Sequence, residues 1–122
     1  MIIGIIANTN KENAVQVVST LVKKLRKSGF NFLLGDSLRK YKKDIPDEIK
    51  STVFITNEKL AEKSDMIISI GGDGTMLASA NLAQLNDKPI LGVNLGKLGF
   101  LAEVNINQMD FLIEDIRNNN YF

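Results

Sequence analysis

The sequence contains no histidine and no cysteine. The lack of cysteine excludes disulfides and thiol chemistry, and the lack of histidine excludes imidazole bases. Because both are missing, the usual zinc sites are excluded as well. Any catalysis by these residues must therefore use carboxylates, amines, hydroxyls, backbone N–H groups or a hard metal ion.

An excess of charge of one sign is also absent. The chain has 15 Lys and Arg against 14 Asp and Glu, a net charge of +1. A protein with so little net charge has no general electrostatic attraction for nucleic acid or an acidic membrane, so we expect neither as a partner. We predict that any anion-binding site is local. The apolar start, MIIGIIA, is only seven residues long with no basic region before it. We therefore predict no signal peptide and no membrane span, and expect a cytoplasmic protein.

The composition is that of a folded protein. Apolar residues make up 44% of the 122 residues and charged residues 24%. This length supports one hydrophobic core and is too short for two full domains. We predict a single domain over residues 1–122.

The first part of the chain has the pattern of a strand, a helix and a second strand. IIGIIA (2–7) is a continuous, mostly β-branched apolar run, typical of a strand buried on both faces. Thr9 to Glu12 has the spacing of a capping box, and a helix is predicted from there up to Gly29. Its apolar face is predicted to contain Ala14, Val15, Val18, Leu21, Val22 and Leu25. FNFLL (30–34) predicts the next strand, which completes a βαβ unit.

The rest of the chain continues this alternation. Residues 35–52 are polar and charged, so we assign them no regular element and predict a flexible excursion. Short apolar runs predict strands at 53–55, 66–70 and 89–93. Helices are predicted at 57–64, after 70 with an apolar face of Leu77, Ala78, Leu82 and Leu85, and at 107–118 with Met109, Leu112, Ile113 and Ile116. The order predicts an α/β fold: an open, mostly parallel Rossmann-like sheet with helices on both faces.

A glycine-rich motif, GGDGT, follows the strand predicted at 66–70. We expect Gly71, Gly72 and Gly74 to adopt positive φ and to bring the backbone close to a ligand, and Thr75 to cap the next helix. Exposed N–H groups and the helix dipole would then attract an anion. The alternative is a tight strand-to-helix turn that binds nothing.

Asp73 is an unexpected residue in such a motif. A carboxylate about 4 Å from a phosphate charge costs about 1 kcal/mol in water and several times more at lower dielectric. Its presence is explained if it accepts a hydrogen bond from a sugar hydroxyl, helps to hold Mg²⁺ near phosphates, or takes a proton from an attacking alcohol. The alternative is an Asp that binds backbone amides within the turn.

A second glycine-rich stretch, NLGKLGFL (94–101), follows the strand predicted at 89–93. Both stretches should face one crevice, since ligands of such sheets bind beyond the carboxyl ends of the strands. Phe100 offers a flat face to an adenine ring. Alternatively, Leu98, Phe100 and Leu101 are core or interface residues and Lys97 is solvated. The motifs G-x-x-x-x-G-K-[ST] and G-x-G-x-x-G are both absent, so the GGDGT loop differs from these two phosphate-binding motifs.

With GGDGT after MIISI and NLGKLGFL after PILGV, the chain resembles the NAD kinases. These enzymes phosphorylate the 2′-hydroxyl of the adenosine ribose of NAD to make NADP. GGDGT alone is less specific, because diacylglycerol and sphingosine kinases and 6-phosphofructokinases carry similar loops. The resemblance implies NAD as substrate, ATP or polyphosphate as phosphoryl donor, and Mg²⁺ or another divalent cation.

The resemblance also implies roles for individual residues. Asp73 would contact the substrate ribose as the base or hydroxyl-orienting group. The residues that would lie along phosphates of ATP or the dinucleotide are Gly71, Gly72, Gly74 and Thr75. Those that would border the NAD site are Gly96, Leu98, Gly99, Phe100 and Leu101, with Phe100 near the adenine. Lys97 occupies a variable position and is given no role.

One departure from the family concerns length. NAD kinases continue into a β-rich second domain that binds the NAD ribose, and that domain is absent from this sequence. We therefore expect residues 1–122 to be the N-terminal part of a two-domain enzyme, inactive alone, whose full-length form is a homodimer or homotetramer. Two other interpretations stay open: a lipid or sugar-phosphate kinase with a similar loop, and a noncatalytic nucleotide-binding module in which Asp73 is a turn residue.

Overall fold

The computed structural model describes residues 1–10, 13–44, 54–95 and 113–118. The strands are β1 (Ile2–Ala7), β2 (Asn31–Gly35), β3 (Phe54–Ile55), β4 (Met66–Gly71) and β5 (Ile90–Asn94). The helices are α1 (Ala14–Lys27), α2 (Asn57–Lys63) and α3 (Asp73–Leu85). Residues Asp36–Asp44 form 3₁₀ turns with a kink at Tyr41, and residues 113–117 are helical.

The five strands form one parallel sheet in the order β3-β2-β1-β4-β5. The chain builds outward from β1 to β3 and then returns to add β4 on the other side of β1. The order therefore reverses between β1 and β4, which is the place where open α/β sheets bind ligands. The predicted α/β class with a parallel Rossmann-like sheet is confirmed.

Helices cover both faces of the sheet, as predicted. Alternate residues of a strand point to opposite faces, so Ile3 and Ile5 pack with α1 while Ile6 packs with α2 and α3. In β4, Ile68 lies on the α1 side and Ile67 on the other. Both sides of β1 and β4 are buried, which is the physical reason for their uninterrupted apolar runs.

The predicted apolar face of α1 is confirmed, with Val17 buried and Val15 only half-buried. The helix ends at Lys27, and Gly29, with a φ of 85°, stops it as expected: it closes a Schellman motif in which the Phe30 N–H donates to the Leu25 carbonyl at 2.9 Å. The capping box at Thr9 was a wrong prediction. The helix begins at Ala14 after Asn13, which has a φ of 68° and no side-chain capping bond, and Asn tolerates this left-handed conformation.

The segment after β2 differs from the sequence expectation for 35–52. Over Asp36–Asp44 the chain forms 3₁₀ turns, because Leu38 is fully buried in the α1-side core. Two hydrogen bonds anchor these turns: the Ser37 hydroxyl donates to the Ala7 carbonyl at 3.0 Å, and Arg39 donates to the Phe54 carbonyl at 2.9 Å. Residues 45–52 lie outside the described residues.

The apolar face predicted for α3 was wrong except at Leu82, which is half-buried and packs against the core on the α2 side of the sheet. Leu77 is 66% exposed and Leu85 82% exposed, and Ala78 is exposed as well. The buried residues of the helix are instead Ser79 and Ala83, whose side chains are small. Of the last predicted helix, Ile113 and Ile116 are described and buried in the α1-side core, while Met109 and Leu112 lie outside the described residues. No helix in the described part of the chain has the length and apolar character needed to cross a membrane.

Candidate functional site

The GGDGT motif forms a very short connection between β4 and α3. The strand ends at Gly71 and the helix begins at Asp73, so Gly72 alone separates them, with φ −97° and ψ −167°. The prediction of positive φ at these glycines was wrong, because Gly29 is the glycine with positive φ among the described residues. Thr75 as helix cap was also wrong, since Gly72 occupies that position and Thr75 lies in the first turn.

Gly71 is required by close packing rather than by its φ angle. A Cβ atom at this position would lie 2.8 Å from the Thr75 side chain and 3.1 Å from the Asn8 Cβ. The end of β4, the start of α3 and the residue after β1 therefore meet where only a hydrogen fits. Gly74 is different, because a Cβ there would have no atom within 4 Å.

Asp73 is the first residue of α3 and is exposed to solvent. A carboxylate in the first helical turn is stabilised by the helix dipole. Its Oδ1 accepts a hydrogen bond of 2.9 Å from Nδ2 of Asn94, the last residue of β5 and the register partner of Gly71. The hydrogen bond of Asp73 thus goes to a side chain on the neighbouring strand, in contrast to the alternative of an Asp that binds amides of its own turn.

A crevice of about 440 Å³ lies at the carboxyl ends of the strands, where the sheet order reverses. Gly74 and Thr75 line it from α3. Three polar residues that the sequence motifs did not indicate also line it: Asn8, Ser37 and Asn57. Each stands one or two positions beyond the end of a strand, β1, β2 and β3 respectively, and polar residues directly after parallel strands are the signal that identifies them.

The start of α3 presents N–H groups at the rim of this crevice. The first helical hydrogen bond runs from the Met76 N–H to the Gly72 carbonyl at 3.0 Å, so the N–H groups of Asp73, Gly74 and Thr75 precede the helical ladder. Together with the positive end of the helix dipole, they form a suitable site for a phosphate. The Asp73 carboxylate stands beside them and suits a hydroxyl group or a cation.

A divalent cation such as Mg²⁺ needs several oxygen ligands. Within the described ranges, no group of three Asp, Glu, His or Cys side chains could hold a metal ion. Mg²⁺ in phosphoryl-transfer sites is bound by one or two carboxylates together with substrate phosphates. The single Asp73 carboxylate fits a Mg²⁺ ion that arrives with a nucleotide rather than one held by the protein alone.

The structure brings five predicted site residues into one turn: Gly71, Gly72, Asp73, Gly74 and Thr75. The other five predicted residues, Gly96, Leu98, Gly99, Phe100 and Leu101, lie outside the described residues, as does Lys97. The segment that carries them follows β5, whose last residue, Asn94, already contacts Asp73.

The strand order, the helices on both faces and the crevice at the reversal point define a Rossmann-like α/β domain. A protein-family model described as the ATP-NAD kinase N-terminal domain matches residues 3–121. The chain therefore belongs to the ATP-NAD kinase family.

The names of individual similar proteins are consistent with this family assignment. The chain is 35% identical over 118 residues to an NAD kinase of Chloroherpeton thalassium, a match that covers 97% of this chain and 38% of that protein. It is 34% identical over 119 residues to an NAD kinase of Ruminiclostridium cellulolyticum, covering 98% and 39%. The fold is similar to that of a yeast NADH kinase crystallised with NADH, with a TM-score of 0.68, 16% identity and coverage of 95% and 35%. The chain thus spans less than half the length of the curated relatives it matches.

Proposed function

We propose that the full-length protein containing this chain is an NAD kinase that transfers a phosphoryl group from ATP or polyphosphate to the 2′-hydroxyl of the adenosine ribose of NAD. The family match supports the kinase class. The observation that carries the specific chemistry is the exposed Asp73 carboxylate in the first turn of α3, whose next two residues, Gly74 and Thr75, line the crevice at the sheet reversal point. A kinase needs a carboxylate and a phosphate site close together, because the acceptor hydroxyl must lie next to the phosphate that it attacks.

Asp73 is proposed to receive the proton of the attacking hydroxyl or to orient that hydroxyl. A site that only bound phosphate would be weakened by this carboxylate, which repels phosphate by about 1 kcal/mol per charge pair at 4 Å in water and by more at lower dielectric. A site that joins a hydroxyl to a phosphate benefits from it, since a carboxylate accepts a hydrogen bond from the nucleophile. The hydrogen bond from Asn94 uses Oδ1, and the second carboxylate oxygen then serves the hydroxyl.

The phosphate groups are proposed to lie along Gly71, Gly72, Gly74 and Thr75. Gly74 has open space where a Cβ would stand, which allows a ligand to approach the backbone. The residues proposed to border the NAD are Gly96, Leu98, Gly99, Phe100 and Leu101, with Phe100 beside the adenine. This proposal rests on their match to the family motif and on the position of the segment directly after β5.

A divalent cation, Mg²⁺ in the simplest case, would be held by the nucleotide phosphates and the Asp73 carboxylate. When bound, it would neutralise charge that develops on the transferred phosphoryl group. This chain's own residues then have three tasks. The start of α3 binds phosphate, Asp73 receives or directs the hydroxyl proton, and the walls of the crevice fix the acceptor.

The remaining features of the full protein are also proposals. Residues 1–122 are proposed to be one α/β domain that forms the N-terminal part of a two-domain cytoplasmic enzyme and is inactive alone. The full-length enzyme is proposed to be a homodimer or homotetramer, with no nucleic acid or membrane partner. The relatives are more than twice as long as their match to this chain, which supports a further domain.

The test is NADP formation from NAD and MgATP by the full-length protein, by residues 1–122 and by two full-length variants. Asp73→Asn removes the charge from the proposed base and should lower kcat by about 10²–10⁴-fold, the usual contribution of a general base. Asp87→Asn is the matched control, because Asp87 is an exposed Asp just beyond the opposite end of α3. It should leave kcat unchanged.

Three results would overturn parts of this proposal. Full activity in Asp73→Asn would favour a noncatalytic role for this residue as a turn carboxylate. NADP formation by residues 1–122 alone would overturn the inactivity of the isolated domain. If the unmutated full-length protein makes no NADP but phosphorylates a lipid or a sugar phosphate, the substrate assignment falls.

A further inference from the structure

The contact between Asn94 and Asp73 joins two elements that are separate in sequence but adjacent in the sheet. Asn94 ends β5, where it is the register partner of Gly71, the last residue of β4. Two residues after Gly71, Asp73 begins α3 and accepts the Asn94 amide at 2.9 Å. The backbones on both sides of this contact are therefore fixed by the same pair of parallel strands.

This contact gives the exposed Asp73 carboxylate a fixed orientation. The side chain of a solvated Asp rotates freely, and ordering it costs conformational free energy. A hydrogen bond from a half-buried amide on a neighbouring strand limits that rotation. The donor is a neutral amide, so it orients the carboxylate through a hydrogen bond without placing a second charged side chain beside it.

We propose that Asn94 is a positioning residue that holds the Asp73 carboxylate in the orientation needed to accept the acceptor hydroxyl. The inference rests on the proposed kinase function, in which Asp73 is the group that meets the hydroxyl. Asn94 acts through Asp73 and engages Oδ1, so that the other carboxylate oxygen serves the substrate. Misplacement of a catalytic group by about 1 Å costs up to about 100-fold in rate, which sets the size of the expected effect.

The test uses the full-length protein with four variants: Asn94→Ala, Asp73→Asn, the double variant Asn94→Ala with Asp73→Asn, and the control Asn31→Ala. Asn31 is an exposed Asn at the start of β2, at the amino-terminal ends of the strands and so at the opposite end of the sheet from Asn94. Asn94→Ala should lower kcat by about 10- to 100-fold while the KM values for NAD and ATP stay within about twofold, because ground-state binding is not its task. Asn31→Ala should leave kcat and KM unchanged.

The double variant separates positioning from general structural support. If Asn94 acts only through the carboxylate, its replacement should cost nothing further in the Asp73→Asn background. A structural role predicts that Asn94→Ala lowers activity by the same factor in both backgrounds. A second readout does not depend on catalysis: the side-chain amide proton resonances of Asn94 should shift when Asp73 is replaced by Asn, and should not shift in Asn31→Ala.

Failure of the positioning role of Asn94 and failure of the proposed kinase function give different results in these experiments. If the unmutated protein makes NADP but Asn94→Ala retains its kcat, or the two substitutions act independently, the positioning role is overturned and the kinase function stands. If the Asn94 amide resonances do not respond to Asp73→Asn, the contact itself is refuted. If the unmutated protein makes no NADP, both proposals fall, and the wild-type sample alone identifies that case.

Discussion

The Ser69 hydroxyl on β4 donates a hydrogen bond of 2.9 Å to the Ser79 hydroxyl on α3, and both side chains are fully buried or nearly so. This hydrogen bond holds α3 against β4 about two helical turns after Asp73. Ser79 and Ala83 are buried on the sheet side of α3, while Leu77 and Leu85 are exposed. The position of the candidate base therefore depends on a polar contact within the core.

Ser79→Ala should lower the free energy of unfolding by about 1 kcal/mol, because the buried Ser69 hydroxyl loses its acceptor at 2.9 Å and keeps only the longer contact of 3.5 Å with the Thr75 carbonyl. The double variant Ser69→Ala with Ser79→Ala should cost less than the sum of the two single changes, since two apolar groups replace both partners. Urea unfolding of the full-length protein measures these differences. Strictly additive losses would show that the two hydroxyls are not coupled.

Gly71 and Gly74 should respond in opposite ways to replacement by Ala. At Gly71 the new Cβ would lie 2.8 Å from Thr75, so Gly71→Ala should destabilise the protein by about 1–3 kcal/mol through overpacking. At Gly74, in the first turn of α3, the space is open and Ala is the better helix former, so stability should rise by about 0.4–1 kcal/mol. Thermal unfolding of both variants provides the comparison.

The same Gly74→Ala variant tests whether ligand phosphates approach this backbone. If they do, the added methyl group should raise the KM for ATP or NAD even though the fold is more stable. A protein that is more stable and binds both substrates as before would contradict the placement of phosphate at Gly74.

Leucines of the two long helices should differ in their contribution to stability. Leu21 of α1 is fully buried, and Leu21→Ala should cost about 2–5 kcal/mol. Leu85 of α3 is 82% exposed, and Leu85→Ala should change stability by no more than about 0.5 kcal/mol. Urea unfolding of the two variants checks this, and a large loss at Leu85 would show that another part of the full-length protein covers it.

Much of the fold could be predicted because its central strands are buried on both faces. The runs at β1 and β4 are apolar for that reason, and α1 has a clear helical stripe that ends at Gly29. Prediction failed at α3 except for Leu82, because the helix buries Ser79 and Ala83, small residues that a search for an apolar face does not single out. The start of α1 was missed because Asn13 begins the helix through its backbone conformation, while the capping box relied on side chains alone.

The candidate site could be predicted only where its residues are consecutive. GGDGT stands out in the sequence, and its five residues do form one turn. Asn8, Ser37 and Asn57 follow three different strands, and Asn94 ends a fourth, so strand order is needed to bring them to the same edge of the sheet. Strand order arises from long-range pairing, which local sequence patterns do not encode.

The most direct test of the central claim is the identity of the hydroxyl that is phosphorylated. The full-length protein would be given MgATP with either NAD or an NAD analogue that lacks the 2′-hydroxyl on the adenosine ribose, and the product would be analysed by phosphorus NMR. We expect a new phosphate monoester at the 2′ position from NAD and none from the analogue. A monoester formed from the analogue, or one at another position of NAD, would contradict transfer to the 2′-hydroxyl.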